Sequence, residues 1–314
     1  MAIYFARRFA FAAFLIVAVS SGSLVLARLA PGDYATESLG PGVSRETIER
    51  VRAQYGLNRS IAAQYRDWIV AAAQFDFGRS LLYDRPVREL IPERAANTAL
   101  LAVAALVIAT GIGLPLGIVT GSRRGGPLSA AIRSVSVVFL SMPPLLTSLF
   151  LVFVAARTGW FPIGGMTSAG AGALSLDVLH HLVVPAAAIA LPLAAMLERL
   201  QSQAMSEVVG EPFVVATLAR GVPHSRVVWR DALKPALRPT AAIYGLIVGT
   251  LLSGSFAVEV VTAWPGLGQL MLSALRARDV YLVAGCAGAG AIFLAIGTLL
   301  SDVALGVVDP RARE

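Results

Sequence analysis

Arg226, Arg230 and Lys234 recur at i, i+4 and i+8, a spacing that lines three cations along one face of a helix. Such a stripe can hold the carboxylates of a protein partner or the head groups of anionic lipid. It lies in Glu207–Arg238, the longest charge-bearing segment between two apolar runs in the C-terminal half. Other chemistry is thinly supplied. A phosphate-binding loop needs Gly-Lys followed by Ser or Thr, but the only lysine, Lys234, sits between Leu233 and Pro235. Ser253-Gly254-Ser255 falls short of the Gly-x-Ser-x-Gly elbow of serine hydrolases and reads as a small-residue packing patch. His180-His181 borders an apolar run and reads as an interfacial anchor. The single cysteine, Cys286, excludes an internal disulfide and a cysteine-built metal site. No catalytic residue, no metal site and no cofactor bound by the chain itself are expected. If the protein does work, the energy enters from a partner.

The elements that must position the stripe are two short helices with a break between them. Arg220, Gly221 and Pro223 form a helix stop: a cation at the negative end, a residue free to take positive φ, then a residue that cannot continue the ladder. Glu207 and Glu211 are expected at the start of the first helix, where the dipole favours them. Phe213, Val214 and Leu218 give that helix an apolar face with no evident neighbour in the chain. An amphipathic helix, a glycine break and a basic second helix form a docking handle.

The handle hangs between membrane spans. Of the 314 residues 56% are hydrophobic and only 14% charged, where a soluble domain carries roughly a quarter charged residues. The apolar residues come in long blocks, so the chain is read as an all-α integral membrane protein. The charge-free run Phe9–Ala27 gives an uncleaved first span over 9–30. Five more blocks, 96–122, 134–156, 178–197, 239–258 and 280–301, give spans two to six. Pro115, Pro143-Pro144, Pro185 and Pro192 mark kinked, packed helices. Gly285, Gly288 and Gly290 suit close helix contact in the last span. Residues 31–95 form a polar helical insert in which Ser44 and Ser60 are expected N-caps. Residues 198–238 form the loop between spans four and five.

Six spans put both ends on one side. Arg7, Arg8, Arg123, Arg124, Arg133, Arg199, the cations of 220–238, Arg311 and Arg313 all fall on that side, so the positive-inside rule makes it cytoplasmic. The insert then lies outside. The basic excess, +7 overall, belongs to topology and lipid rather than nucleic acid.

Taken in order, these residues resemble the membrane-spanning permease of a bacterial ABC importer, and most of all the first of the paired permeases of dipeptide, oligopeptide and nickel importers. The resemblance runs through Tyr4-Phe5-Ala6-Arg7-Arg8, Pro31-Gly32-Asp33, Tyr55-Gly56-Leu57, Asp76-Phe77-Gly78-Arg79-Ser80 and Asn97-Thr98. It continues through Glu211-x-Phe213-Val214-x-Ala216-x-x-Ala219-Arg220-Gly221, Ala232-Leu233-Lys234, Glu259-Val260-Val261, Trp264-Pro265-Gly266-Leu267-Gly268, Arg278-Asp279 and Asp309-Pro310-Arg311. There are departures: Pro212 follows Glu211, Ala216-Thr217-Leu218 replaces Thr-Ala-Arg, Asp231 replaces His, and Val280-Tyr281 replaces Tyr-Pro. The resemblance implies that Glu211, Ala216 and Gly221 mark the coupling motif, and that with Phe213, Thr217, Ala219, Arg226 and Arg230 they dock on an ATPase subunit. It implies a second homologous permease, two ATPase subunits holding ATP and magnesium, and an extracytoplasmic solute-binding protein, in the bacterial inner membrane. The expected solute is a di- or oligopeptide, with nickel or another small solute as the alternative. A scaffold that holds a cytoplasmic partner without transport is the reading from a different class. Ser141, Met142, Pro143 and Glu259 are the expected path residues.

Overall fold

The computed structural model of the chain describes residues 2–123, 125–168 and 176–308. Arg124, the Asp309-Pro310-Arg311 run and Arg313 lie outside the described residues. Among the described residues the secondary structure is helical, with one isolated bridge between Arg79 and Pro86. Among the described residues, four helices are long and apolar enough to cross a membrane: Ala6–Leu29 within α1 (Ala2–Leu29), α5 (Val87–Ser122), α8 (Leu176–Val209) and Val280–Leu299 within α13 (Val280–Val308). The pair α6 (Pro127–Leu140) and α7 (Pro144–Thr158) counts as a fifth if it is one broken span. The remaining helices are α2 (Tyr34–Leu39), α3 (Arg45–Gln54), α4 (Ile61–Ala72), α9 (Pro212–Ala219), α10 (His224–Val227), α11 (Leu233–Val261) and α12 (Leu267–Arg276).

The block 134–156 is thus not one continuous helix. The chain bends by 105° between α6 and α7. Neither Pro143 nor Pro144 has an N–H for the ladder, and Pro144 forces Pro143 out of helical conformation, to ψ 147°. A kink was expected there; two consecutive prolines give a break. Pro185 and Pro192, seven residues apart, are carried inside the 34-residue α8.

The chain divides into two compact units. The first comprises residues up to 99 and 265–295. Its helices α3 and α4 start at Ser44 and Ser60, whose hydroxyls accept the Thr47 and Ala63 N–H groups. Asp33 caps α2 in the same way through the Thr36 N–H. Trp68 of α4 buries its ring with Leu24 of α1 and Ala284 of α13, and its indole N–H donates to the Phe77 carbonyl at 3.3 Å. Tyr281 packs against three clusters of this unit. A Cβ on Gly78, which has φ +88°, would come within 3.2 Å of the Tyr281 ring. Gly285 and Gly288 are closely approached by Val87 and by Ser20, whereas Gly290 has nothing within 4 Å.

Two polar anchors hold distant parts of this unit. Asp279 is fully buried. Its Oδ2 accepts the Ser80 hydroxyl at 2.6 Å and the Leu82 N–H at 3.1 Å, while its Oδ1 accepts the Leu282 N–H at the start of α13. Asn97 Nδ2 donates to the Pro265 carbonyl at 2.9 Å, and the buried Thr98 hydroxyl accepts the Leu267 N–H at 2.8 Å. Unmet polar groups at these depths would each cost about 1–3 kcal/mol.

The second unit comprises residues 100–264 and from 296 on. Leu101, Ala105 and Ala109 on one stripe of α5 pack with Leu182, Ile189, Leu193 and Leu197 of α8, with Ile247 and Leu251 of α11, and with Trp264. Farther along α5, glycine replaces alanine. Cβ atoms added at Gly113, Gly117 and Gly121 would lie 2.6 Å from Ala194 O, 2.7 Å from Glu198 O and 2.3 Å from Ser202 O. The i, i+4, i+8 glycines of α5 thus meet i, i+4, i+8 positions of α8 with backbones in contact, the small-residue packing that membrane helices use.

Candidate functional site

Charge ends the apolar block at Leu197, yet α8 continues to Val209. Glu198 is only 2% exposed, and its Oε1 accepts the Thr120 hydroxyl at 2.6 Å. Gln201, fully buried one turn on, donates to the Ala236 carbonyl at 3.3 Å and accepts the Thr240 hydroxyl at 2.8 Å. Met polar groups let the helix continue past the point where hydropathy says it should stop. Residues 198–209, expected as loop, are therefore helix. Glu207 lies in the closing turns of α8 rather than at the start of the next helix, because Gly210-Glu211 makes the break.

α9 begins after Glu211, whose side chain makes no capping bond, with Pro212 at the first helical position. Val214 is 1% exposed and packs with Ile118, Met205, Val209, Val227 and Val228, and Leu218 packs against the same cluster. The apolar face expected to be free is thus largely occupied by the chain's own core. Phe213, at 48% exposure, is the part left outside. Phe213, Ala216, Thr217 and Arg220 form a separate face, at i, i+3, i+4 and i+7. The Thr217 hydroxyl donates to the Phe213 carbonyl at 2.8 Å and accepts from Arg220 Nη2 at 3.0 Å, which fixes Arg220 along α9.

Gly221 closes the helix at φ +83°, as the stop order requires, and its N–H donates to the Leu218 carbonyl at 2.9 Å. The short α10 then runs into a π-helical turn, Val228–Ala232, before α11. A π turn adds a residue to the repeat and moves later side chains round the axis. The single stripe expected from i, i+4, i+8 spacing is not kept whole. Arg230 and Lys234, joined by Arg238 and by Arg220 from α9, line one cleft of ≈870 Å³, and Arg226 stands outside its lining. Among the described residues, Asp231 is the one carboxylate in that lining. Of the expected docking residues, Phe213, Ala216, Thr217, Ala219 and Arg230 share the cleft, while Glu211, Gly221 and Arg226 frame α9 and α10. Sequence reasoning missed Trp229, a large exposed aromatic beside these cations, and left Arg238 out of the site. Tryptophan in a segment that otherwise exposes charge was the available signal.

The expected path residues sit in different surroundings. Ser141 and Pro143 are exposed and Met142 half-buried at the α6–α7 break, with the Ser141 hydroxyl donating to the Val137 carbonyl at 2.8 Å. Glu259 is fully buried near the end of α11. Ser253-Gly254-Ser255 falls inside α11 and is no strand-to-helix elbow.

A helical chain with several helices long and apolar enough to cross a membrane is a multi-pass membrane component. Residues 113–314 match the model of the binding-protein-dependent transport system inner membrane component, and residues 1–101 match the model of the N-terminal part of such components. The chain belongs to this family and is a permease subunit of an ABC transport system. It is similar to the oligopeptide transport system permease protein AppB of Bacillus subtilis (strain 168), 31% identical over 313 residues and covering 99% of both chains. A putative peptide permease protein of Brucella suis biovar 1 (strain 1330) is 31% identical over 303 residues, 95% of each chain. A probable peptide ABC transporter permease of Sinorhizobium fredii is 27% identical over 314 residues, the full length of both.

Proposed function

We propose that this chain is one of two membrane halves of an ATP-driven importer for di- or oligopeptides. A second, homologous permease completes the path. Two ATPase subunits hold ATP and magnesium on the cytoplasmic side, and an extracytoplasmic binding protein delivers the peptide. In this reading the chain crosses the inner membrane six times, with α11 supplying a span and α6–α7 one broken span. Both termini are cytoplasmic, and the insert that carries α2–α4 is outside. The positive-inside distribution of arginine supports that orientation, and the relatives named as peptide permeases support the solute class.

The observation that carries the reading is α9. Val214 clamps it to the core, while Phe213, Ala216 and Thr217 face a cleft rimmed by Arg220, Arg230, Lys234 and Arg238. A rigidly held helix with an exposed aromatic and a cationic rim suits a groove with acidic edges on an ATPase subunit. Closure of the ATPases would move α9 and, through α10 and the π turn, α11, and so alternate access along the path. Ser141, Met142, Pro143 and Glu259 are assigned to that path, and the chain itself hydrolyses no ATP.

The test is a crosslink paired with flux. Cysteine placed at Val215 or Ala216 needs no change elsewhere, because Cys286 is fully buried. We expect a bridge to the ATPase subunit that changes with ATP, and ATP-dependent accumulation of a labelled dipeptide in proteoliposomes. ATP hydrolysis by the assembled complex without flux would favour a scaffold. Absence of a bridge from both positions in an assembled complex would remove α9 from the ATPase interface.

A further inference from the structure

A second cavity, ≈360 Å³, lies between α6 and α8, with Arg133, Ser136 and Leu140 on one wall and Glu198, Arg199 and Ser202 on the other. Its charges are incompletely matched. The Thr120 hydroxyl donates to Glu198 Oε1 at 2.6 Å, and Arg133 Nη2 donates to the Thr120 carbonyl at 2.9 Å. Both groups therefore bond Thr120 instead of each other. Among the described residues, the second carboxylate oxygen of Glu198 has no hydrogen-bond partner, and neither Arg133 nor Arg199 forms an ion pair. That second oxygen is not shut off from solvent, so a cation or donor entering the cavity can reach it. The two guanidiniums in the same lining are both exposed and open to an oxyanion.

We propose that this cavity binds a zwitterion whose primary ammonium lies a few atoms from an oxyanion, supplied by the head group of phosphatidylethanolamine. The ammonium donates to Glu198, and the phosphate sits between Arg133 and Arg199. The lipid source follows from the remaining lining. Val137 and Leu140 of α6 line the same cavity and are exposed, and Val135 and Val138 of α6 are exposed with them, so acyl chains have apolar surface to follow out of the site. A free zwitterion such as a dipeptide has no use for that surface. A quaternary head group cannot donate the hydrogen bond that Glu198 lacks. The inference needs the face of α6 that carries Val137 and Leu140 to meet lipid in the assembled transporter, and it is independent of where α9 docks.

The full chain, assembled with its partners, is passed through vesicles of phosphatidylethanolamine with phosphatidylglycerol, or of phosphatidylcholine with phosphatidylglycerol. It is then extracted mildly and weighed by native mass spectrometry. We expect phosphatidylethanolamine to be retained over phosphatidylcholine by about tenfold or more, the scale of one charge-assisted hydrogen bond. The preference should vanish in Glu198→Gln, which can still accept the Thr120 hydroxyl, and weaken in Arg133→Gln. Equal retention of the two lipids by the wild type, or undiminished preference in Glu198→Gln, overturns the proposal. Should the variant fail to assemble, wild type alone decides: an N-acylated phosphatidylethanolamine, which has no ammonium, must be retained about tenfold less, and equal retention is fatal. Dialanine separates the sources. No displacement of bound lipid is expected, whereas displacement would assign the site to soluble zwitterions and overturn the lipid assignment.

Discussion

The contact between α5 and α8 makes Gly121→Ala the most informative single change. A Cβ at Gly121 would lie 2.3 Å from Ser202 O and 2.7 Å from Met205 Cβ. Those are roughly 1 Å short of ordinary contact, and the first neighbour is backbone, which cannot rotate away. Overpacking of this kind costs about 1–3 kcal/mol. Alanine in a helix interior returns about 0.5–1 kcal/mol relative to glycine, so the raw effect understates the clash. Gly111, on the same helix with nothing within 4 Å, supplies the reference. Gly111→Ala takes the propensity gain without the clash, and the difference between the two variants isolates the packing term. In thermal unfolding of the detergent-solubilised protein, Gly121→Ala should melt several degrees below Gly111→Ala, at roughly 2–4 °C per kcal/mol for a unit of this size. Because α8 leads directly to α9, uptake should fall in Gly121→Ala as well. Coincident melting curves would refute the claim that backbone contact sets the α5–α8 spacing.

Two further outcomes are expected. Gly221→Val meets no steric obstacle, only the strain of φ +83°, about 1–3 kcal/mol. The spans should insert normally while ATP-driven uptake drops well below that of wild type, and full uptake would show that the break after α9 is not a hinge. At Asp33, burial alone would push the carboxyl up, but hydrogen bonds from the Arg52 guanidinium and from the Thr36 N–H and hydroxyl outweigh it and hold the group below the ordinary carboxylate value. A lowered folded value stabilises at pH above the free carboxyl's value, about 4, and that contribution is lost as pH falls through the lowered value. Hydrogen exchange across residues 34–39 should therefore be faster in Asp33→Ala by about fivefold at neutral pH, for a cap worth ~1 kcal/mol. The variant and wild type should converge in acid, and a gap that stays constant with pH would exclude the ionised cap.

Some of this was legible in the sequence because the governing physics is local. Ser44 and Ser60 cap as their positions imply, and Arg220-Gly221-Pro223 stops a helix where it reads as a stop. What stayed hidden depends on neighbours distant in the chain. Glu198 looks like the end of a span until Thr120, 78 residues away, supplies its partner. Val214 and Leu218 look unpartnered until Ile118 and Val227 close on them. The π turn cannot be inferred from spacing, nor can the cleft that takes in Arg230 and Lys234 and leaves out Arg226. Gly113, Gly117 and Gly121 were in plain view as a four-residue repeat, whereas the less regular Gly285, Gly288 and Gly290 drew notice, and Gly290 makes no close contact.

The bond between Ser80 and Asp279 bears on how such chains can be recombined. Residues 31–95 look like a cassette, a polar stretch spliced between two apolar helices and open to exchange among relatives. The cassette is not self-contained, because its Ser80 hydroxyl and Leu82 N–H neutralise the needs of a carboxylate contributed 199 and 197 positions later. A transplanted stretch lacking that pair of donors would strand Asp279 in an enclosed site. A chimera therefore inherits a compatibility rule: the two ends of the chain must be exchanged together, or the incoming segment must carry its own hydroxyl at the position of Ser80.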